Sequence, residues 1–186
     1  ILSARNFREP NLFARWNILA GMKCFKINFW ENFHNYFSGS LWKFVEGESE
    51  GQTSTDINKI DNISYFAHPV DLHLATRGIQ GWPKLSVEVF SVNSLKHFCP
   101  VGSGFCYIPT KPGLHRIKIA TWRIAPQTVL DSIREKFFTG GFTIVKKDLI
   151  HTGVERYKIS TISSGIVEIE LSVVFRHFKK YNIVFE

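Results

Sequence analysis

The chain has 186 residues, with 23 Lys+Arg against 16 Asp+Glu for a formal net charge of +7, and it is 44% hydrophobic and 21% charged. These proportions belong to a globular domain that folds without disulfide staples, and they exclude a disordered tail or a collagen-like chain. The outlier is the aromatic content of 15%, with 17 Phe, which favours strands over helices.

Cys24, Cys99 and Cys106 are an odd number of widely spaced thiols, which argues against a secreted disulfide framework and for a reducing compartment. The chain opens on no signal segment and has no run of eighteen apolar residues, so a cytosolic protein is expected. The only methionine is Met22, and the sequence therefore does not begin at a translational start.

In chain order, the first periodic stretch is 18–37, where Ile18, Met22, Phe25, Phe29, Phe33 and Tyr36 recur at spacings of three and four. That spacing predicts an amphipathic helix, weakened by Gly21, Asn28, Asn32 and Asn35. Period-two alternation then predicts strands at Val70-Leu72-Leu74, Leu85-Val87-Val89, Ile117-Ile119, Tyr157-Ile159 and 167–175. In the last of these, Val167, Ile169, Leu171, Val173 and Phe175 form the buried face, and Glu168, Glu170, Ser172 and Arg176 the solvated one. Gly78 with Gly81-Trp82-Pro83, Pro109 with Pro112-Gly113, and Ser163-Ser164-Gly165 supply the turns. One helix interrupts the strands at 128–138, capped by Thr128 and stopped by Gly140-Gly141. The pattern as a whole is an all-β antiparallel sandwich with one short inserted helix.

No catalytic or metal-binding template is filled. His68, Asp71 and His73 are close in sequence, but strand parity sends His68 to the face opposite Asp71 and His73, so three ligands do not converge; His73 is expected to pair with Asp71. His97, Cys99 and Cys106 lack zinc spacing and read as structural. Gly102-Ser103-Gly104 lacks the Gly-Lys-Ser/Thr ending of a phosphate loop and runs into Tyr107-Ile108-Pro109. Calcium needs six to eight oxygens, usually from clustered carboxylates, whereas Asp56, Asp61, Asp71, Asp131 and Asp148 stand singly. The expectation is a protein that is not an enzyme and carries no cofactor or metal.

Positive charge concentrates at Arg116-Lys118, Lys146-Lys147 and Arg176 with Lys179-Lys180. Such a surface suits acidic lipid or an acidic protein, and part of it is solvated face. No zinc finger, aromatic RNP strand pair or helix-turn-helix accompanies it, so nucleic acid is not expected.

From Glu50 onward the chain resembles the B9 domain family. The residues that carry the resemblance are Gly51-Gln52-Thr53, His68-Pro69-Val70-Asp71-Leu72-His73-Leu74-Ala75-Thr76, Gly78-Ile79-Gln80-Gly81-Trp82-Pro83, Gly104-Phe105-Cys106 and Thr121-Trp122-Arg123. The resemblance implies a single C2-like sandwich over 1–186 that lacks a calcium loop, with its first strand preceding Ile1. It implies a non-enzymatic scaffold at the basal body and transition zone of cilia, in the cytoplasm and cytoskeleton. The implied partners are B9 domain-containing protein 1, the Meckel syndrome type 1 protein, tectonic-complex membrane proteins and gamma-tubulin. The alternative is a calcium-independent module that binds anionic membrane.

Physically, the signature residues read mainly as fold residues: Gly78 and Gly81 for unusual backbone angles, Trp82-Pro83 as a core anchor, His68-Pro69 as an extended lead-in. The chain departs from the family in two regions. About twenty aromatic-rich residues are inserted around 19–38, readable as a helix that docks on a membrane or partner, or as sequence retained by an imperfect gene model. In 91–103, Asn93, Lys96 and Ser103 stand where the family tends to have Asp, Gly and Tyr.

Overall fold

A computed structural model describes residues 1–21, 41–57, 61–93, 96–125 and 160–181. The strands are β1 (Ser3–Arg5), β2 (Leu12–Leu19), β3 (Trp42–Gly47), β4 (Glu50–Gln52), β5 (Ile63–Tyr65), β6 (Leu72–Thr76), β7 (Lys84–Val92), β8 (Phe98–Tyr107), β9 (Gly113–Ile124) and β10 (Thr161–Val173). A 3-10 turn covers Phe178–Tyr181. The predicted helices at 18–37 and 128–138, the strand at Tyr157-Ile159 and the pair Lys146-Lys147 lie outside the described residues, apart from Ile18–Gly21. Ile18 and Leu19 belong to β2, so the chain is still extended where the first helix was expected to begin.

Eight strands form one antiparallel sheet in the order β4-β2-β7-β8-β9-β10-β1-β5, and β3 pairs with β6 in a separate two-stranded ribbon. The long sheet is nearly broken in the middle, because β8 and β9 share a single register pair, Ser103 with Trp122. The sheet turns on itself there into the two layers of the expected sandwich. Across one layer, Trp16, Val87 and Gly104 lie side by side on the inner face; across the other, Ser64, Ala4, Val167 and Ile119 do. Trp16 and Val87 of the first set and Ala4, Val167 and Ile119 of the second belong to one buried cluster with Leu12, Ala14, Val89, Val101 and Ile169. Burying a Val or Leu completely stabilises by about 1.5–3 kcal/mol, so the alternation itself drives the two layers together.

Leu85, Val87 and Val89 are buried as their parity predicts, and so are Val167 and Ile169. Two strands are shorter than expected: the 70–74 run pairs only from Leu72, and the final strand ends at Val173, leaving Val174 and Phe175 outside the ladder. Glu168 has the outward parity assigned to it but is 6% exposed, because Arg5 from β1 lies over it.

Candidate interaction surface

The first signature string holds the sheet's edge strand in place. The Thr53 hydroxyl accepts the Ala14 backbone N–H at 3.0 Å and donates to the Ser54 carbonyl at 2.9 Å, while the Thr53 N–H donates to the Ala14 carbonyl at 2.8 Å. Gly51 lets β4 approach β2, since a Cβ there would sit 2.8 Å from the Trp16 indole. Gln52 is exposed beside Arg15.

The second string follows the expected parity except at Val70, which is exposed where His68 and Leu72 are partly buried, and one expected pairing is corrected. His68 is half-buried with its ring 6.1 Å from Trp16, and its N–H donates to the Ile1 carbonyl at 2.9 Å. Pro69, Asp71 and His73 are exposed. His73 does not pair with Asp71: its Nδ1 lies 3.1 Å from Glu46 Oε2 on the neighbouring strand. A register shift between Phe44 and Glu46 brings that carboxylate opposite His73, where Asp71 stays beyond the ladder.

The third string builds a corner where several loops meet. Gly81 takes φ +70, the left-handed region expected of it, but Gly78 has no positive φ. A Cβ on Gly78 would lie 3.1 Å from the Leu41 Cδ1 methyl, a contact that a small shift of that side chain relieves, and the Gly78 carbonyl accepts the Thr76 hydroxyl. Pro83 is fully buried. The Trp82 indole donates to the Ile108 carbonyl at 2.7 Å and packs edge-on against Trp42 at 5.2 Å and Phe175 at 6.2 Å. Phe175 in turn lies 4.7 Å from Phe178. Gly104 marks the crossover of the layers, and Trp122 and Arg123 are half-buried beside it on β9, facing Ser163 and Ile162 of β10.

The predicted basic surface separates into two places. Arg116 and Lys118 are exposed on the outer face of β9, where Arg116 is committed to Glu170 at 3.0 Å and approaches Glu168 at 3.9 Å. Arg176 and Lys180 lie beyond β10, exposed, near the Trp82 corner, and Lys179 is the second residue of the 3-10 turn. Sequence reasoning passed over Arg77 and Lys111, which stand singly in the chain but are exposed at the same corner. It also passed over Arg15, whose guanidinium lies over Phe90 at 5.0 Å and near Phe13 and Phe98, aromatics that β2, β7 and β8 bring together on the outer face.

Among the described residues, no group of three or more His, Cys, Asp or Glu is arranged to hold a metal ion. No helix there is long and apolar enough to cross a membrane. What the arrangement offers a partner is surface and strand edge: among the described strands, β4 and β5 end the long sheet with three residues each, and β3 and β6 pair only with one another.

Residues 1–174 match the family model described as B9-C2, Ciliary basal body-associated, B9 protein. B9 domain-containing protein 2 of Drosophila melanogaster is 41% identical over 186 residues, covering 100% of this chain and 95% of its own length. The Homo sapiens protein of the same name is 35% identical over 187 residues, covering 98% of this chain and 94% of its own. The human Tectonic-like complex member MKS1 is 22% identical over 152 residues, which is 73% of this chain and 27% of that protein. No solved structure matches the chain.

Proposed function

The chain belongs to the ciliary basal body-associated B9 family, and from that premise we propose that it is a non-enzymatic scaffold subunit of the ciliary transition-zone complex. It assembles there with B9 domain-containing protein 1 and MKS1, contacts tectonic-complex membrane proteins and gamma-tubulin, and helps separate the ciliary from the plasma membrane. The observation that carries the reading is the 152-residue likeness to MKS1, a protein whose name places it in a tectonic-like complex. The signature residues support assembly over catalysis, because Thr53, Trp82, Gly51 and Gly104 are spent on holding strands and corners together. Among the described strands, the short edges and the two-stranded ribbon suit the addition of partner strands.

Co-expression of the full chain with B9 domain-containing protein 1 and MKS1, followed by size-exclusion chromatography, tests the reading. A single co-eluting complex is expected. Elution of the chain as a monomer beside both partners would overturn it.

A further inference from the structure

We propose that one end of the sandwich, built from the segments 77–84, 108–113 and 174–181, binds the surface of an anionic bilayer without calcium. These three segments are contiguous in space. Trp82 donates to the Ile108 carbonyl and Ile108 N–H to the Pro83 carbonyl, Gly113 faces Val173 in the ladder, and Phe175 packs on Trp82.

Together they hold six Lys and Arg and no Asp or Glu, out of a chain total of +7, so the rest of the protein nets only +1. Arg77, Lys111, Arg176 and Lys180 are exposed, and none has a carboxylate partner among the described residues. Arg116, on the outer face of the sheet, is by contrast paired with Glu170. Two aliphatic side chains stand among these cations, Ile79 at 61% and Val174 at 77% exposure, each on a different segment.

Unpaired cations around exposed aliphatic tips match a leaflet with anionic headgroups above an apolar boundary, with the charges held at headgroup level and the tips below it. An acidic protein would satisfy the charge but would leave Ile79 and Val174 in water unless it carried matching hollows for both. The aromatic buttress beneath, from Trp42 through Trp82 and Phe175 to Phe178, fixes the segments relative to one another, so little ordering is needed on contact. The contact needs no other B9 protein, and it is therefore read on the chain alone.

The test is sedimentation of the full chain with phosphatidylcholine vesicles and with vesicles that also contain phosphatidylserine. Binding is expected only with phosphatidylserine and is expected to fall as salt is raised. The Arg176→Ala/Lys180→Ala variant should partition roughly 25-fold less, since each basic residue near such a leaflet contributes about fivefold. Ile79→Asp, an exposed site that leaves all cations in place, should also weaken binding. Lys118→Ala, on the outer sheet face, should bind as the unsubstituted protein does. Equal sedimentation with neutral vesicles, or unchanged binding by either loop variant, would overturn the proposal. So would capture of polyglutamate with no binding to either vesicle, which would assign this end to an acidic protein.

Discussion

Glu168 faces outward from β10 yet is buried, with its carboxylate 2.9 Å from the guanidinium of Arg5. The contact lacks the alignment of a hydrogen bond, so it is an ion pair held by proximity, with Arg116 more distant at 3.9 Å. Removing Arg5 leaves a desolvated carboxylate with one long contact, and the cost of such an orphaned group exceeds what the pair itself contributes. Because Arg5 is partly exposed, Arg5→Ala is expected to destabilise by about 1–3 kcal/mol and Glu168→Gln by less. Urea unfolding of both single variants and the double variant measures this. The double variant should lose less than the two singles combined, and strict additivity would show that the pair is not coupled.

At Gly104 strand β8 runs close against β9. A Cβ there would lie 2.8 Å from the Ala120 carbonyl oxygen and 2.8 Å from Ile119 Cγ2. The oxygen belongs to a backbone laddered to β10 and has little freedom to retreat. Gly104→Ala is therefore expected to cost about 1–3 kcal/mol through overpacking. Thermal unfolding followed by circular dichroism reads it, and an unchanged melting temperature would mean that the β8–β9 crossover is looser than its geometry.

The period-two runs of β7, β9 and β10 were legible because each buries one face, and alternation records burial directly. Partnerships across strands were not legible. His73 finds Glu46, 27 residues away, through a bulge that no local pattern announces, and Glu168 looks like any solvated glutamate until Arg5 is laid over it. Gly78 and Gly81 look alike in sequence, but only Gly81 takes a positive φ, while Gly78 lies beside the Leu41 side chain in an ordinary backbone conformation. The basic end was visible only in part. Arg176 and Lys180 lie in a cluster, whereas Arg77 and Lys111 join them only once the turns after β6 and before β9 are brought together.

Burial pushes the Cys106 thiol up to about 11, from an ordinary value near 9.0. Since the thiolate is the nucleophile, Cys106 in the folded protein should be nearly inert to iodoacetamide at pH 8 and should gain reactivity only as pH approaches 11. The sign for stability follows from a folded value above the unfolded one. The buried thiol's contribution is complete below about 9 and is lost as pH rises through about 11. Mass spectrometry that resolves each cysteine, run in native buffer and in urea, checks this. Equal labelling of Cys106 in the two conditions at pH 8 would refute it.

Lys96 occupies the left-handed region at φ +61 in the connection between β7 and β8. The connection is tied by Asn93: its N–H donates to the His97 carbonyl at 3.1 Å, its side-chain oxygen accepts the His97 N–H at 2.9 Å, and its carbonyl accepts the Lys96 N–H at 2.9 Å. These bonds hold Lys96 in a conformation that costs an L-residue about 1–2 kcal/mol and glycine almost nothing. Glycine recovers that strain but makes the unfolded chain more flexible, which takes back part of the gain. The net expectation for Lys96→Gly is a stabilisation of about 0.5–1 kcal/mol. Asn93→Ala, which deprives the His97 N–H of its acceptor, should destabilise by about 1 kcal/mol. Denaturant midpoints at a constant slope measure both changes, and a Lys96→Gly variant less stable than the unsubstituted chain would show that the lysine is favoured there by contacts that outweigh its backbone angle.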